Sequence, residues 1–213
     1  MSILLYCIAK SGLEIENSIA GVAGSTVIRE NVGVLAVFTS RNSESSTWLR
    51  QPVRASAIEF NRVLKQVFNS AAIIPFRFPT IFKEHDELTA HVKQRGAEYD
   101  ALLTKFADVV QMELRITYVG PRQTAGSGTN YLKNRRDSIS AAEHAARTLR
   151  QSLSRGTEGW LERELKDGVR AFALVKRGAI AEFENAMRKA NIPDGFNVRV
   201  SGPWPVSEFL EIR

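Results

Sequence analysis

The chain has 213 residues, 44% hydrophobic and 24% charged, with 29 Lys and Arg against 23 Asp and Glu, for a net charge of +6. That composition supports a sizeable core and excludes wholesale disorder, and the length suits one large domain or two of about 100 residues, two being the expectation. Nothing approaches the roughly 18 consecutive apolar residues of a membrane-spanning helix, and the start lacks the basic lead and cleavage site of a signal peptide. The single cysteine, Cys7, cannot close an internal disulfide. A soluble cytoplasmic protein follows, with no membrane contact, and the modest positive excess leaves room for an acidic partner.

The first apolar run, Ile3 to Ala9, reads as a strand that buries Cys7 as an inert thiol. Two short β-rich runs, Thr26 to Glu30 and Val34 to Phe38, are joined by a polar turn at Asn31 to Gly33 and predict a hairpin. After a polar loop from Ser40 to Thr47, the residues Val53, Ala57, Phe60, Leu64 and Val67 recur at helical spacing and predict an amphipathic helix on the hairpin. The stretch Ile73 to Phe82, with two prolines and alternating rings, suits an edge strand. A single helix is expected from Glu84 to Phe106 on the seam Leu88, Val92, Tyr99, Leu102 and Phe106, with Gly96 inside it. The domain boundary is placed after it, giving domains 1–108 and 109–213.

The second half opens with a strand, Val109 to Val119, then a loop "GPRQTAGSG" and a helix from Thr129 to Ser154. The seam of that helix is Leu132, Ile139, Ala142, Ala146, Leu149 and Leu153. "GWLEREL" reads as a strand turning at Asp167-Gly168 into Val169 to Lys176. A helix from Ala179 to Ala190 follows, with Ile180, Phe183 and Met187 inward, and a last strand runs from Phe196 to Ser201. The order β-α-β-β-α-β is the ferredoxin-like arrangement, so the fold class is α+β with two domains.

Conventional chemistry finds little purchase. "EHDE" at Glu84 to Glu87 cannot converge on one metal, because adjacent helical residues point apart, and acidic side chains in a first helical turn are favourable on their own account. His91 and His144 lack a motif partner, and the "HDEL" at His85 to Leu88 is internal and so no retention signal. The glycines of "AGSGTNYLK" lack a phosphate-loop frame and read as a connection capped at Ser127 or Thr129. No enzyme, cofactor or metal is expected. Nucleic acid is the stronger alternative: Lys133, Arg136, Arg147 and Arg150 form a basic stripe, interrupted by Glu143, in a fold order shared with RNA-recognition modules. "DGVRAFALV" offers Val169 and Ala171 where stacking rings should stand, so a solvated helix face is the expectation and no nucleic acid.

The end of the chain, "SGPWPVSEF", holds Trp204 between two prolines, which stiffen it, withhold a backbone donor and keep it out of a helix or central strand. Together with the opening "LLYCIA", the middle "IIPFRFPTIF" and the segment "SGTNYLKNRR", this ending makes the chain closely resemble the gas vesicle protein F and L family over nearly its whole length. G-P-W-P at Gly202 to Pro205 is the most specific mark, supported by P-x-R-F at Pro75 to Phe78 and by Tyr131-Leu132 ahead of Lys133, Arg135 and Arg136. The chain departs from the family's usual pattern at Cys7 and Pro79, where glycine is common, and at Pro205 to Phe209, where P-P-Y-S-F is common.

The resemblance implies a non-enzymatic accessory protein of gas vesicle formation, cytoplasmic or on the vesicle. It would have an α+β N-terminal domain and a ferredoxin-like C-terminal one, and would bind the hydrophobic shell protein or other accessory proteins. An RNA-binding ferredoxin-like protein is the second reading. Trp204, Pro203, Pro205, Phe209, Lys133 and Arg136 are the expected partner contacts, with burial of Trp204 in its own domain as the simpler alternative.

Overall fold

The computed structural model describes residues 2–12, 18–42, 52–119 and 128–210, without the side chains of residues 42, 128–135 and 138. The connection "GPRQTAGSG", most of the 40–47 loop and the cap at Ser127 lie outside the described residues. The chain is α+β with two antiparallel sheets. It divides into two compact units: Met1–Ala107 with Pro205–Leu210, and Asp108–Trp204.

In the first unit β1 (Ser2–Lys10) is buried on both faces, as its unbroken apolar run requires. It lies inside a sheet of order β2 (Val27–Val32), β3 (Leu35–Asn42), β1, β4 (Ile74–Pro75), with β5 (Ile81–Phe82) also pairing with β1. The β2–β3 hairpin turns on Gly33-Val34, where Gly33 has φ of 62°. The expected edge strand from Ile73 to Phe82 is instead two short pieces, because only its ends pair with β1.

Helix α1 (Val53–Ser70) buries Phe60, Val63, Leu64, Val67 and Phe68, whereas Val53 at its first turn is 66% exposed. Phe60 stacks on the fully buried Tyr6 at 4.9 Å. Burying a ring of this size contributes about 1.5–3 kcal/mol, provided that a polar tip keeps its hydrogen bonds. The Tyr6 hydroxyl does so, 3.0 Å from Ser40 Oγ and accepting from the Val22 amide at 2.9 Å.

The single helix expected from Glu84 to Phe106 is two, α2 (His85–Gln94) and α3 (Gly96–Lys105). Arg95 between them has φ, ψ of −105°, 8°, outside helical geometry. The break before Gly96, a poor helix former, rotates the second seam, so Leu103 is buried and Leu102 only half so.

The second unit runs β6 (Val109–Tyr118), α4 (Gly128–Leu153), β7 (Gly159–Leu165), β8 (Gly168–Lys176), α5 (Ile180–Lys189) and β9 (Phe196–Trp204). The sheet order β7-β8-β6-β9 is the split β-α-β arrangement of a ferredoxin-like fold. One face of the sheet carries the alternating residues Val110, Met112, Leu114 and Ile116 of β6 and Val169, Ala171, Ala173 and Val175 of β8. The helices cover that face with Ala142, Ala145, Ala146, Leu149 and Leu153 of α4 and with Phe183 and Met187 of α5. The β7–β8 loop is Lys166-Asp167, and Gly168 already pairs with Leu165 in the ladder. A Cβ at Gly168 would stand 2.0 Å from the Ile116 carbonyl oxygen, so glycine is needed for the strands to approach rather than for the turn.

Candidate functional site

The last strand runs three residues beyond the expected end at Ser201, through the G-P-W sequence itself. On β6, Glu113 opposes Ser201 and Gln111 opposes Trp204, which leaves Met112 alone facing both Gly202 and Pro203. Two residues against one is a β-bulge. Gly202 has φ of 136°, and a Cβ there would meet Met112 Sδ at 2.9 Å and the Gln111 carbonyl at 3.0 Å. Only glycine fits. Pro203 is tolerated because β9 is an edge strand, where a missing N–H breaks no central ladder.

The bulge decides where Trp204 points. Side chains alternate along a strand, so one extra residue moves everything after it to the other face. Strict alternation from Ser201 would turn Trp204 toward the helices. The bulge returns it to the face of Ser201 and Glu113, and the indole Nε1 donates to Ser201 Oγ at 3.3 Å. Trp204 is 42% exposed, among the few large apolar side chains left open.

Of the other expected contacts, Pro203 is exposed beside Trp204. Pro205 and Phe209 are half-buried in the segment that clusters with the first unit, where Val206 is 4% exposed. Arg136 is exposed on α4, on the helix-covered side of the sheet, and the side chain of Lys133 lies outside the described residues. Pro203 and Trp204 stand together, and Arg136 stands apart from them.

The register also revises the reading of "DGVRAFALV". Val169 and Ala171 face the helices at 2% and 0% exposure, so they were never candidates for stacking bases. The positions on the opposite face are Arg170 and Phe172, and that face also carries the buried Gln111 and Leu174. Phe172 is 1% exposed, with the Arg170 guanidinium 5.0 Å over its ring, and offers no free stacking surface. Arg170 reaches Glu113 on β6 in a bidentate pair at 2.7 and 2.8 Å.

Several titratable groups of the first unit are tied into structure. Cys7 is fully buried, and burial pushes its thiol far above the ordinary range. The acidic cluster splays apart: His85 Nε2 lies 2.7 Å from Glu30 Oε1, Glu87 accepts from the Lys83 amide at 3.0 Å, and Asp86 points to solvent. His91 Nε2 lies 3.0 Å from the Tyr99 hydroxyl, within a set of rings that includes Phe76 and Phe82. Burial, reinforced by the Arg95 guanidinium, holds the His91 imidazole below its usual value. Burial also raises the Tyr99 hydroxyl. No helix among the described residues is long and apolar enough to cross a membrane.

Comparison with known proteins places these features in a family. A search of curated protein sequences gives no match. Among solved structures, the crystal structure of the gas vesicle protein GvpF from Anabaena sp. PCC7120 is similar with a TM-score of 0.81 at 14% identity, over 100% of this chain and 97% of that one. The crystal structure of gas vesicle protein GvpF from Microcystis aeruginosa is similar with a TM-score of 0.74 at 14% identity, over 98% of each chain. At such identity these likenesses speak for the fold. The sequence profile described as "Gas vesicle synthesis protein GvpL/GvpF" matches residues 2–211. With nearly the whole length matched, and with the bulged G-P-W-P strand end in place, the chain belongs to the gas vesicle synthesis protein GvpL/GvpF family.

Proposed function

We propose that this protein is a non-catalytic accessory factor of gas vesicle formation, acting in the cytoplasm or on the nascent vesicle. Family membership ties it to gas vesicle formation. Its role is to hold the hydrophobic shell protein, or another accessory protein, during assembly, and its two units work as separate domains. A shell subunit with exposed apolar surface aggregates unless another protein covers it. Cover of that kind needs an apolar anchor that loses little entropy on contact.

The observation that carries the reading is the bulge at Gly202-Pro203, which turns Trp204 away from the helix side and leaves it 42% exposed. A tryptophan between two prolines is stiff, and tryptophan is enriched among interface hot spots. Pro203 frames the ring, and Pro205, Phe209, Lys133 and Arg136 are proposed as secondary contacts. The experiment is capture of purified shell protein by the immobilised chain. Trp204→Ala is expected to weaken capture by about tenfold or more, as for a hot-spot tryptophan, with a melting temperature near that of wild type. Unchanged capture, or a large loss of thermal stability, removes Trp204 as the anchor.

A further inference from the structure

Each strand of the second sheet carries one arginine at an alternating polar position: Arg163 in β7, Arg170 in β8, Arg115 in β6 and Arg199 in β9. The register sets them side by side. Arg163 opposes Arg170, Arg170 opposes Arg115, and Arg115 opposes Arg199. Directly opposed residues share a face, so the four form a row across the whole sheet on the side away from the helices.

Like charges directly opposite one another in a sheet are destabilising, so such a row works against folding. Its compensation is partial. Glu113 pairs with Arg170, and Asp167 lies 3.9 Å from Arg115 with both side chains about half exposed. Arg199 is exposed and has no ion-pair partner among the described residues.

We propose that this row is a docking surface for an acidic helix of a protein partner, laid across the strands so that successive turns bring carboxylates to Arg115 and Arg199. The spacing supports a helix. Neighbouring strands lie about 4.8 Å apart, and three or four helical residues rise about 4.5–6 Å, so one carboxylate per turn keeps step with one arginine per strand. Guanidinium groups bind carboxylates in bidentate fashion, as Arg170 already binds Glu113. Single-stranded RNA fits less well, because its bases stack on successive open rings, and on this face Phe172, the ring nearest the row, is buried, while the open Trp204 stands five residues along β9 from Arg199.

The test uses a fluorescein-labelled, alanine-rich helical peptide of four turns with one glutamate per turn on a single face, followed by fluorescence anisotropy with the full chain. Binding is expected to weaken with added salt and to fall roughly tenfold in Arg115→Ala/Arg199→Ala, as loss of charge-assisted pairs requires. Arg199→Gln alone, at the exposed edge, should lose roughly threefold and serves if the double variant misfolds. Arg188→Ala on α5 should bind as wild type, which separates the row from general basic charge. The proposal is overturned if the peptide does not bind, if the arginine variants bind it as wild type does, or if a peptide of the same composition with glutamates spread round the helix binds equally. Tighter binding of a uridine oligonucleotide, lost in the same variants, would also overturn it in favour of RNA.

Discussion

At the scale of single residues, Gly202 and His91 carry the clearest consequences. Gly202 combines a φ of 136° with a backbone oxygen 3.0 Å from where a Cβ would sit. Met112 Sδ could swing aside, but the Gln111 carbonyl is held in the ladder. Gly202→Ala is therefore expected to cost about 1–3 kcal/mol in urea denaturation, and a wild-type midpoint would show that the bulge relaxes at no cost. His91 has its folded-state pKa below the ordinary value, so the unfolded chain binds more protons as pH falls through about 6.5. The stability that His91 contributes is full above that pH and declines below it. Melting curves across this range should show a steeper acid loss in wild type than in His91→Gln, and parallel losses would remove His91 as the cause.

At the scale of elements, alternation and helical spacing show where a segment turns its apolar side, and here they located the strands and α-helices described in the second unit. They do not show where a segment breaks or bulges. The seam over 84–106 reads as continuous because Leu88, Val92 and Tyr99 keep helical spacing through Arg95, and only the backbone at Arg95 divides it. The strand end after Ser201 hides its bulge for a related reason, since an extra residue is defined by the partner strand. Inserting one alanine between Pro203 and Trp204 moves the ring one position along the ladder, opposite Val110, and so turns it toward the helix side. Shell-protein capture should then fall as far as it does in Trp204→Ala. Deleting Pro203, which removes the extra residue but leaves the ring two positions past Ser201 and on the same face, should retain most of it. Equal capture by the insertion and by wild type would mean that the strand register does not aim the ring.

At the scale of the whole molecule, the prediction concerns the cell. Deleting the gene for this chain is expected to leave cells without vesicles under the electron microscope, with the wild-type chain restoring them and Trp204→Ala failing to do so. Vesicles of normal number and shape in the deletion strain would refute the proposed role. The candidate surface at this scale joins what lies far apart in the chain, since Arg115 and Arg199 are opposed in one ladder. The motifs "LRI", "VRV", "VRA" and "LEREL" each show an arginine between apolar or acidic neighbours, a faint sign that each strand turns one arginine outward. No single motif shows that the four line up.

By itself the sequence determined the α+β class, the β-α-β-β-α-β order, the buried first strand and, through Gly202 to Pro205, the family mark. These are local properties: periodicity, propensity and the special backbones of glycine and proline act within a few residues. The tertiary structure alone decided the face on which Trp204 lies, the burial of Phe172 and the arginine row. Each of these depends on strand register or on packing between distant segments, and in a sheet a shift of one residue reverses every side chain that follows.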